Sequence, residues 1–194
     1  VHAYMTHVQN NAEESVRQVL DVLHDCDFTY RLDSGDQIRV AISVDHKARQ
    51  GTIDFTGTSP QNKFNYNAPL AICRAVVLYV FRTLVGADIP MNEGCLKPLI
   101  LVVPEGSMIN PQAPAAVISG NTEVSQAIAD TLYGAVGVLA GSHGKMTYFV
   151  YGTDNSQPYP TIGGVEGAGC GIEWARAVNS PMTTPRRAGT AVKA

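Results

Sequence analysis

The run LAICRAVVLYVFRTLVG, residues 70–86, sets the strongest constraint on this chain's fold. It has helical length, and Pro69 stands where prolines favour the first position of a helix. Its apolar residues fall on nearly every side, and such a helix is expected to be buried by other elements. Hydrophobic residues make up 45% of the 194-residue chain and charged residues only 16%. That balance is apolar for a soluble domain. Part of the surface is therefore expected to be covered by a partner or by further sequence. The net charge of −3 gives no electrostatic footprint for nucleic acid, and the Arg186-Arg187 pair reads as a solvated end. No run approaches the length of a membrane-spanning helix.

Other elements should surround that helix. Val8, Ala12, Val16, Val19, Leu20 and Leu23 recur at helical spacing and predict a helix over about 8–23. DCDF and LDSGD then read as punctuation. QIRVAISVD alternates, with Ile38, Val40, Ile42 and Val44 on one face, and should pair with GTIDFTG as a hairpin. TSPQNKFNYNAP and ADIPMNEGCLKP read as loops. LILVV and AAVIS read as short strands, residues 122–139 as a third helix, and KMTYFVYG as a last strand. The expected architecture is α+β, a mixed sheet with packed helices, forming a fragment of a larger domain. The opening VHAYMTHVQ, without Met, and the closing RRAGTAVKA both read as an excerpt from a longer protein.

Several chemistries find no motif. The four cysteines, Cys26, Cys73, Cys95 and Cys170, are widely spaced and read as reduced thiols of a cytoplasmic protein, Cys73 inside a helix core. His2 and His7 are five apart, which turns them about 140° from each other on a helix. His24 reads as a surface ion pair with Asp21 or Asp25, His46 lies in a turn, and His143 stands in a Gly-rich setting. No metal-ligand spacing appears, and neither GxSxG nor a Walker loop is present. GGVEGAGCG resembles a dinucleotide fingerprint only loosely and reads as a turned segment.

Three polar loops remain, each at the end of an apolar element: Asp54–Gln61, Pro90–Pro98 and Ser119–Gln126. Singly, each has an ordinary explanation in turn and capping chemistry, with Asn121 or Thr122 as N-cap of the third helix. Together they point to a shared polar cleft, because binding residues concentrate on loops held by rigid elements.

VHAYMTHVQNNAEESVR, IDFTGTSPQ, NAPLAICRAVVLYVFRTLVGADIPMNEGCLKPL and PAAVISGNTEVSQAIADTLYGA together resemble the hydantoinase B/5-oxoprolinase family, most closely its ATP-dependent branch. The resemblance covers residues 1–152. Residues 153–194 form a diverged tail rich in Gly, Pro and Ala. Where the family reads Ser-Gln-Gly-Thr-Met-Asn-Asn, this chain has Ser142 through Tyr148 as SHGKMTY. The resemblance implies hydrolysis of a small cyclic amide, 5-oxoproline or a hydantoin, by an oligomeric enzyme. An amine and a carboxyl on one short chain have an effective molarity of about 10⁵ M or more, so the closed ring is favoured and opening it needs an energy source such as ATP. ATP and a divalent metal are implied for the complete enzyme, the phosphate site lying in a hydantoinase A-type partner region. No cofactor is expected within this segment.

On that chemistry, Glu123 or Glu93 is the candidate proton-transfer group. Asn121, Thr122, Ser125 and Gln126 would hold and orient the ring, helped by the free N–H groups of the helix start. Asn92, Gly94, Asp54 and Thr58 would complete the polar wall. The alternative is a non-catalytic assembly segment whose three loops are ordinary turns.

Overall fold

The structure, a computed structural model, describes residues 1–138 and the two strands at 146–150 and 161–165. The chain divides into two compact units, Val1–Val136 and Gly137–Ala194.

The first unit opens with helix α1, His2–Val22, which buries Ala12, Val16 and Leu20. Three antiparallel strands follow, β1 (Cys26–Arg31), β2 (Gln37–Asp45) and β3 (Gln50–Asp54). Helix α2, Leu70–Leu84, carries the chain over to β4 (Leu99–Val102), which pairs parallel to β3. A parallel neighbour requires such a crossover. The sheet order is β1-β2-β3-β4, so the expected mixed sheet with packed helices is present. Register explains its one-sided burial. Ile42 lies opposite Ile53, Val40 opposite Phe28, and Gly51 opposite Leu99, all on the face that the helices cover. Ser43 and Ile100 fall on the other face and are exposed.

The hairpin between β2 and β3 turns at Arg49, whose φ of 54° is left-handed. Its guanidinium reaches back to α1, 2.6 Å from Asp21 and 3.0 Å from Glu14. Asp21 is thus taken by Arg49, and Asp25 accepts the Val44 N–H at 2.8 Å. His24 instead meets His46 edge-on, ring centres 6.3 Å apart.

Four expectations are corrected. CDFTYR is a strand, not punctuation: it lies at the sheet edge, where both faces are partly wet and alternation is lost. AAVIS is not a strand. Ile118 is 69% exposed there, and the Ala116 carbonyl goes to a side chain rather than to a ladder. The third helix begins earlier than Asn121 or Thr122, with a π-helical turn over Gly120–Val124 that runs into α3, Ser125–Val136. Those two residues are therefore helical, and neither is the N-cap. Finally, α2 is not buried all round. Cys73, Val77, Val80 and Phe81 face the core, while Leu70 and Tyr79 are exposed.

One side chain sets where α2 and α3 begin. Asn67 is fully buried. Its Oδ1 accepts the Asn62 N–H at 2.9 Å. Its Nδ2 donates to the carbonyls of Phe64 at 3.0 Å and Ala116 at 2.8 Å. It thus ties the loop before α2 to the segment before the π turn. Gly120 completes the junction: a Cβ there would lie 2.6 Å from the Asn67 carbonyl oxygen.

In the second unit, β5 (Met146–Val150) pairs antiparallel with β6 (Thr161–Val165). MTYFV within KMTYFVYG is therefore a strand as expected. The start of the glycine-rich stretch is also strand rather than turn, because Gly163 and Gly164 pair with Tyr148 and Thr147. His143, Cys170, Arg186 and Arg187 lie outside the described residues, as does the rest of the 153–194 tail.

Asn67→Ala should destabilise the chain by about 2–4 kcal/mol, because it leaves several buried backbone groups without their partner. Asn67→Asp should recover little, since a carboxylate cannot donate to the two carbonyls. Urea unfolding midpoints test both.

Candidate functional site

The three predicted loops go to different places. At the first, Asp54 ends β3 and its Oδ1 accepts the Thr56 N–H at 2.8 Å, an ordinary turn bond. Thr58 is pinned to β2: its hydroxyl accepts the Arg39 N–H at 3.1 Å and donates to the Arg39 carbonyl at 3.2 Å. At the second, Asn92 caps a 3₁₀ turn, Glu93–Leu96, by accepting the Gly94 N–H at 2.8 Å. Gly94 is a packing residue, since a Cβ there would overlap the carbonyl of Gln9 on α1. Glu93 lies 3.8 Å from Arg74.

The third loop lines a depression. The start of α3 and the outer side of α2 enclose an open-sided hollow of about 210 Å³. Ile72, Ala75, Val76 and Tyr79 form its α2 wall, and Asn121, Ser125, Gln126 and Ala129 its α3 wall. Thr122 and Glu123 stand in the same π turn, both half-buried. Arg74 sits about 150° round α2 from the mean direction of its wall residues, at 100° per residue. Its partner Glu93 is thus on the far side of that helix. Of the predicted residues, the structure gathers Asn121, Ser125 and Gln126 around one hollow, and sets Asp54, Thr58, Asn92, Glu93 and Gly94 elsewhere.

The hollow combines one apolar wall with a few polar groups, the usual make-up of a small-molecule site. A π-helical turn is itself frequent at functional sites, because its extra residue re-aims side chains that a regular helix would stack. Ser125 Oγ donates to the Asn121 carbonyl at 2.7 Å, leaving its lone pairs to accept. Gln126 Nε2 donates to Asp130 Oδ1 at 3.0 Å.

Behind the hollow runs a polar row that attention to loops alone missed. Asp130 is buried, and Tyr133 follows it one turn later. The Tyr133 hydroxyl is 2.7 Å from Thr83 Oγ1, which donates its own proton to the Val80 carbonyl, so the phenol is the donor. Burial raises the Tyr133 pKa, and Tyr79 and Asp130 add to the rise. The signal was available as an aspartate within the apolar run AIADTLY, four residues after Gln126. A charge that a helix buries in such a run is seldom there without a role.

Among the described residues, no group of three or more His, Cys, Asp or Glu gathers where it could hold a metal ion, and no helix is long and apolar enough to cross a membrane. Cys26, Cys73 and Cys95 are free thiols. Burial pushes Cys73 up to about 12, so it stays protonated and is no nucleophile.

The comparisons with known proteins agree on one family. The profile of Hydantoinase B/oxoprolinase matches residues 1–189. The 5-oxoprolinase of Dictyostelium discoideum is 35% identical over 198 residues, covering 96% of this chain and 15% of that protein. The 5-oxoprolinase of Saccharomyces cerevisiae is 37% identical over 172 residues, covering 86% of this chain and 13% of its own length. A putative D-/L-hydantoinase polypeptide of Pseudomonas is 31% identical over 157 residues, covering 70% of this chain and 26% of that polypeptide. The crystal structure of an ATP-dependent caprolactamase from Pseudomonas jessenii shares the fold, with a TM-score of 0.63 and 20% identity. It covers 82% of this chain and 30% of its own. The chain thus spans about 15% of the length of curated relatives such as the Dictyostelium protein.

Thiol chemistry tests the burial of the cysteines. In the native chain at pH 8, an aromatic disulfide reagent should label Cys26 slowly and leave Cys73 and Cys95 untouched until denaturant is added. Peptide mapping by mass spectrometry reads the outcome.

Proposed function

The chain belongs to the hydantoinase B/oxoprolinase family, and from that premise we propose that it forms part of an ATP-dependent enzyme that opens small cyclic amides, 5-oxo-L-proline or a hydantoin. The observation that carries this reading is the hollow between α2 and α3, of a size for a small ring, with a mainly apolar α2 wall facing the polar groups of α3. Ring methylenes would lie against Ile72, Ala75, Val76 and Ala129, while Asn121, Ser125 and Gln126 would take the polar edge. The relatives named 5-oxoprolinase and hydantoinase support the substrate class.

Hydrolysis breaks the ring C–N bond, places a water oxygen on the carbonyl carbon and returns a proton to the leaving nitrogen. That proton needs a carrier. Glu123, in the π turn beside the hollow, takes this role, and Glu93 on the far side of α2 does not. Thr122 shares the π turn and supports the same edge. ATP would supply the driving force from a hydantoinase A-type region. The described residues offer no cluster that fits a divalent metal, so none of the metal's work is assigned to them. The free cysteines fit a reducing cytoplasm.

A second reading, an assembly surface, rests on a different observation. Phe64 is 74% exposed and stands with Tyr66, Val117 and Ile118 on two segments joined by the Ser119 N–H to Asn65 carbonyl bond. Exposed apolar side chains brought together in this way mark interaction sites, here toward the A-type region of an oligomeric enzyme.

Substitutions at the matching positions of a complete relative separate the two readings. Asn121→Ala and Glu123→Gln should each lower kcat/KM for 5-oxoproline by about 10²-fold or more, with the melting temperature little changed. Glu93→Gln should stay within a few-fold of the parent. Unchanged turnover in the first pair would leave only the assembly reading.

A further inference from the structure

The polar wall of the hollow determines which atoms of a ring it can select. We propose that Asp130 is a positioning residue that fixes the amide of Gln126 so that its carbonyl oxygen faces the hollow, making the site specific for a ring that carries an N–H. This inference rests on the proposed function.

Asp130 is buried in α3, and Gln126 is one turn before it on the same stripe. The nitrogen of the Gln126 amide faces the Asp130 carboxyl group and donates to its Oδ1 at 3.0 Å. The reverse orientation would bring two oxygens together in a buried place, where unpaired polar groups are costly. With Nε2 held behind, Oε1 is what Gln126 offers to the hollow that it lines. Its neighbour points the same way: Ser125 Oγ spends its proton on the Asn121 carbonyl at 2.7 Å and offers lone pairs. Gln126 and Ser125 thus form an acceptor edge beside the aliphatic wall of Ile72, Ala75, Val76 and Ala129. The ligand this edge selects is a small ring with an N–H donor, as lactams and hydantoins have, over a lactone or an N-alkylated lactam.

Binding to the full 194-residue chain tests this, with 2-pyrrolidinone, N-methyl-2-pyrrolidinone and γ-butyrolactone followed by ligand-observed NMR titration. The parent chain should favour 2-pyrrolidinone over the other two by about tenfold, the worth of one hydrogen bond left unmade. Asp130→Asn can present either an oxygen or an NH₂ to Gln126, so the amide is free to turn and the preference should fall below about threefold. Gln126→Met, at a half-buried position that tolerates the change, should bring the lactam down to the level of its N-methyl analogue. A merely structural aspartate would change stability and leave that ratio intact.

The outcomes separate cleanly. If no ring binds the parent chain, the functional reading falls and the inference with it. If 2-pyrrolidinone binds without preference over the N-methyl ring, the inference alone fails. A folded Asp130→Asn chain that keeps the full preference overturns the positioning role. Should that variant not fold, the parent decides. One Gln126 side-chain amide proton should be shifted downfield and slow to exchange, and a freely rotating, fast-exchanging pair would contradict the fixed orientation.

Discussion

The buried side chain of Asn67 is the interaction on which the rest of the first unit depends. A primary amide offers two donors and an acceptor in one plane, and Asn67 spends them on backbone groups of two segments at once. Those segments precede α2 on one side and the π turn on the other. The two helix starts are therefore fixed relative to each other by hydrogen bonds that water cannot contest. The missing Cβ of Gly120 lets the second start come close enough. The hollow between α2 and α3 depends on that junction, because its walls are the N-terminal parts of these two helices and the π turn before α3.

Burial of the sheet is the second constraint. One face of β1-β2-β3-β4 is covered by α1 and α3, and α2 packs its inward side on those two helices. The apolar residues of α2 exceed what that face needs. Ile72, Ala75, Val76 and Tyr79 are left over on the outer side, where they meet the polar start of α3. A helix that is apolar on more sides than its own core requires has a use for the surplus. In the proposed function that use is the mainly apolar half of a ring-binding site.

Much of this was legible in the residues. Val16 and Leu20, and Ile38, Val40 and Ile42, gave α1 and β2 through strong periodicity, and LILVV gave β4. Edge strand β1 was not legible, since CDFTYR is half wet on both faces and carries no clear alternation. AAVIS has the composition of a strand, and what it lacked was a neighbouring strand, a fact of tertiary structure. The π turn has no period of its own, so Asn121 and Thr122 passed for caps. SGNTEVSQ supplies one wall of the hollow, yet three loops that look alike in sequence are separated in space. Glu93, facing Arg74, shows why: composition cannot tell which side of a helix a neighbouring loop will reach. The family motifs pointed to the proposed chemistry, and the apolar run AIADTLY held a signal for Asp130, whose bond to Gln126 emerged from the packing.

The central claim is that the hollow between α2 and α3 receives a small cyclic amide. Titrating 5-oxoproline into the ¹⁵N-labelled chain and mapping the amide shifts tests it most directly. Saturable shifts are expected, confined to Asn121, Ser125, Gln126 and Ala129 on one wall and to Ile72, Ala75, Val76 and Tyr79 on the other. Saturable shifts centred on Asp54, Thr58 or Glu93 instead, or no shifts at all, would contradict it.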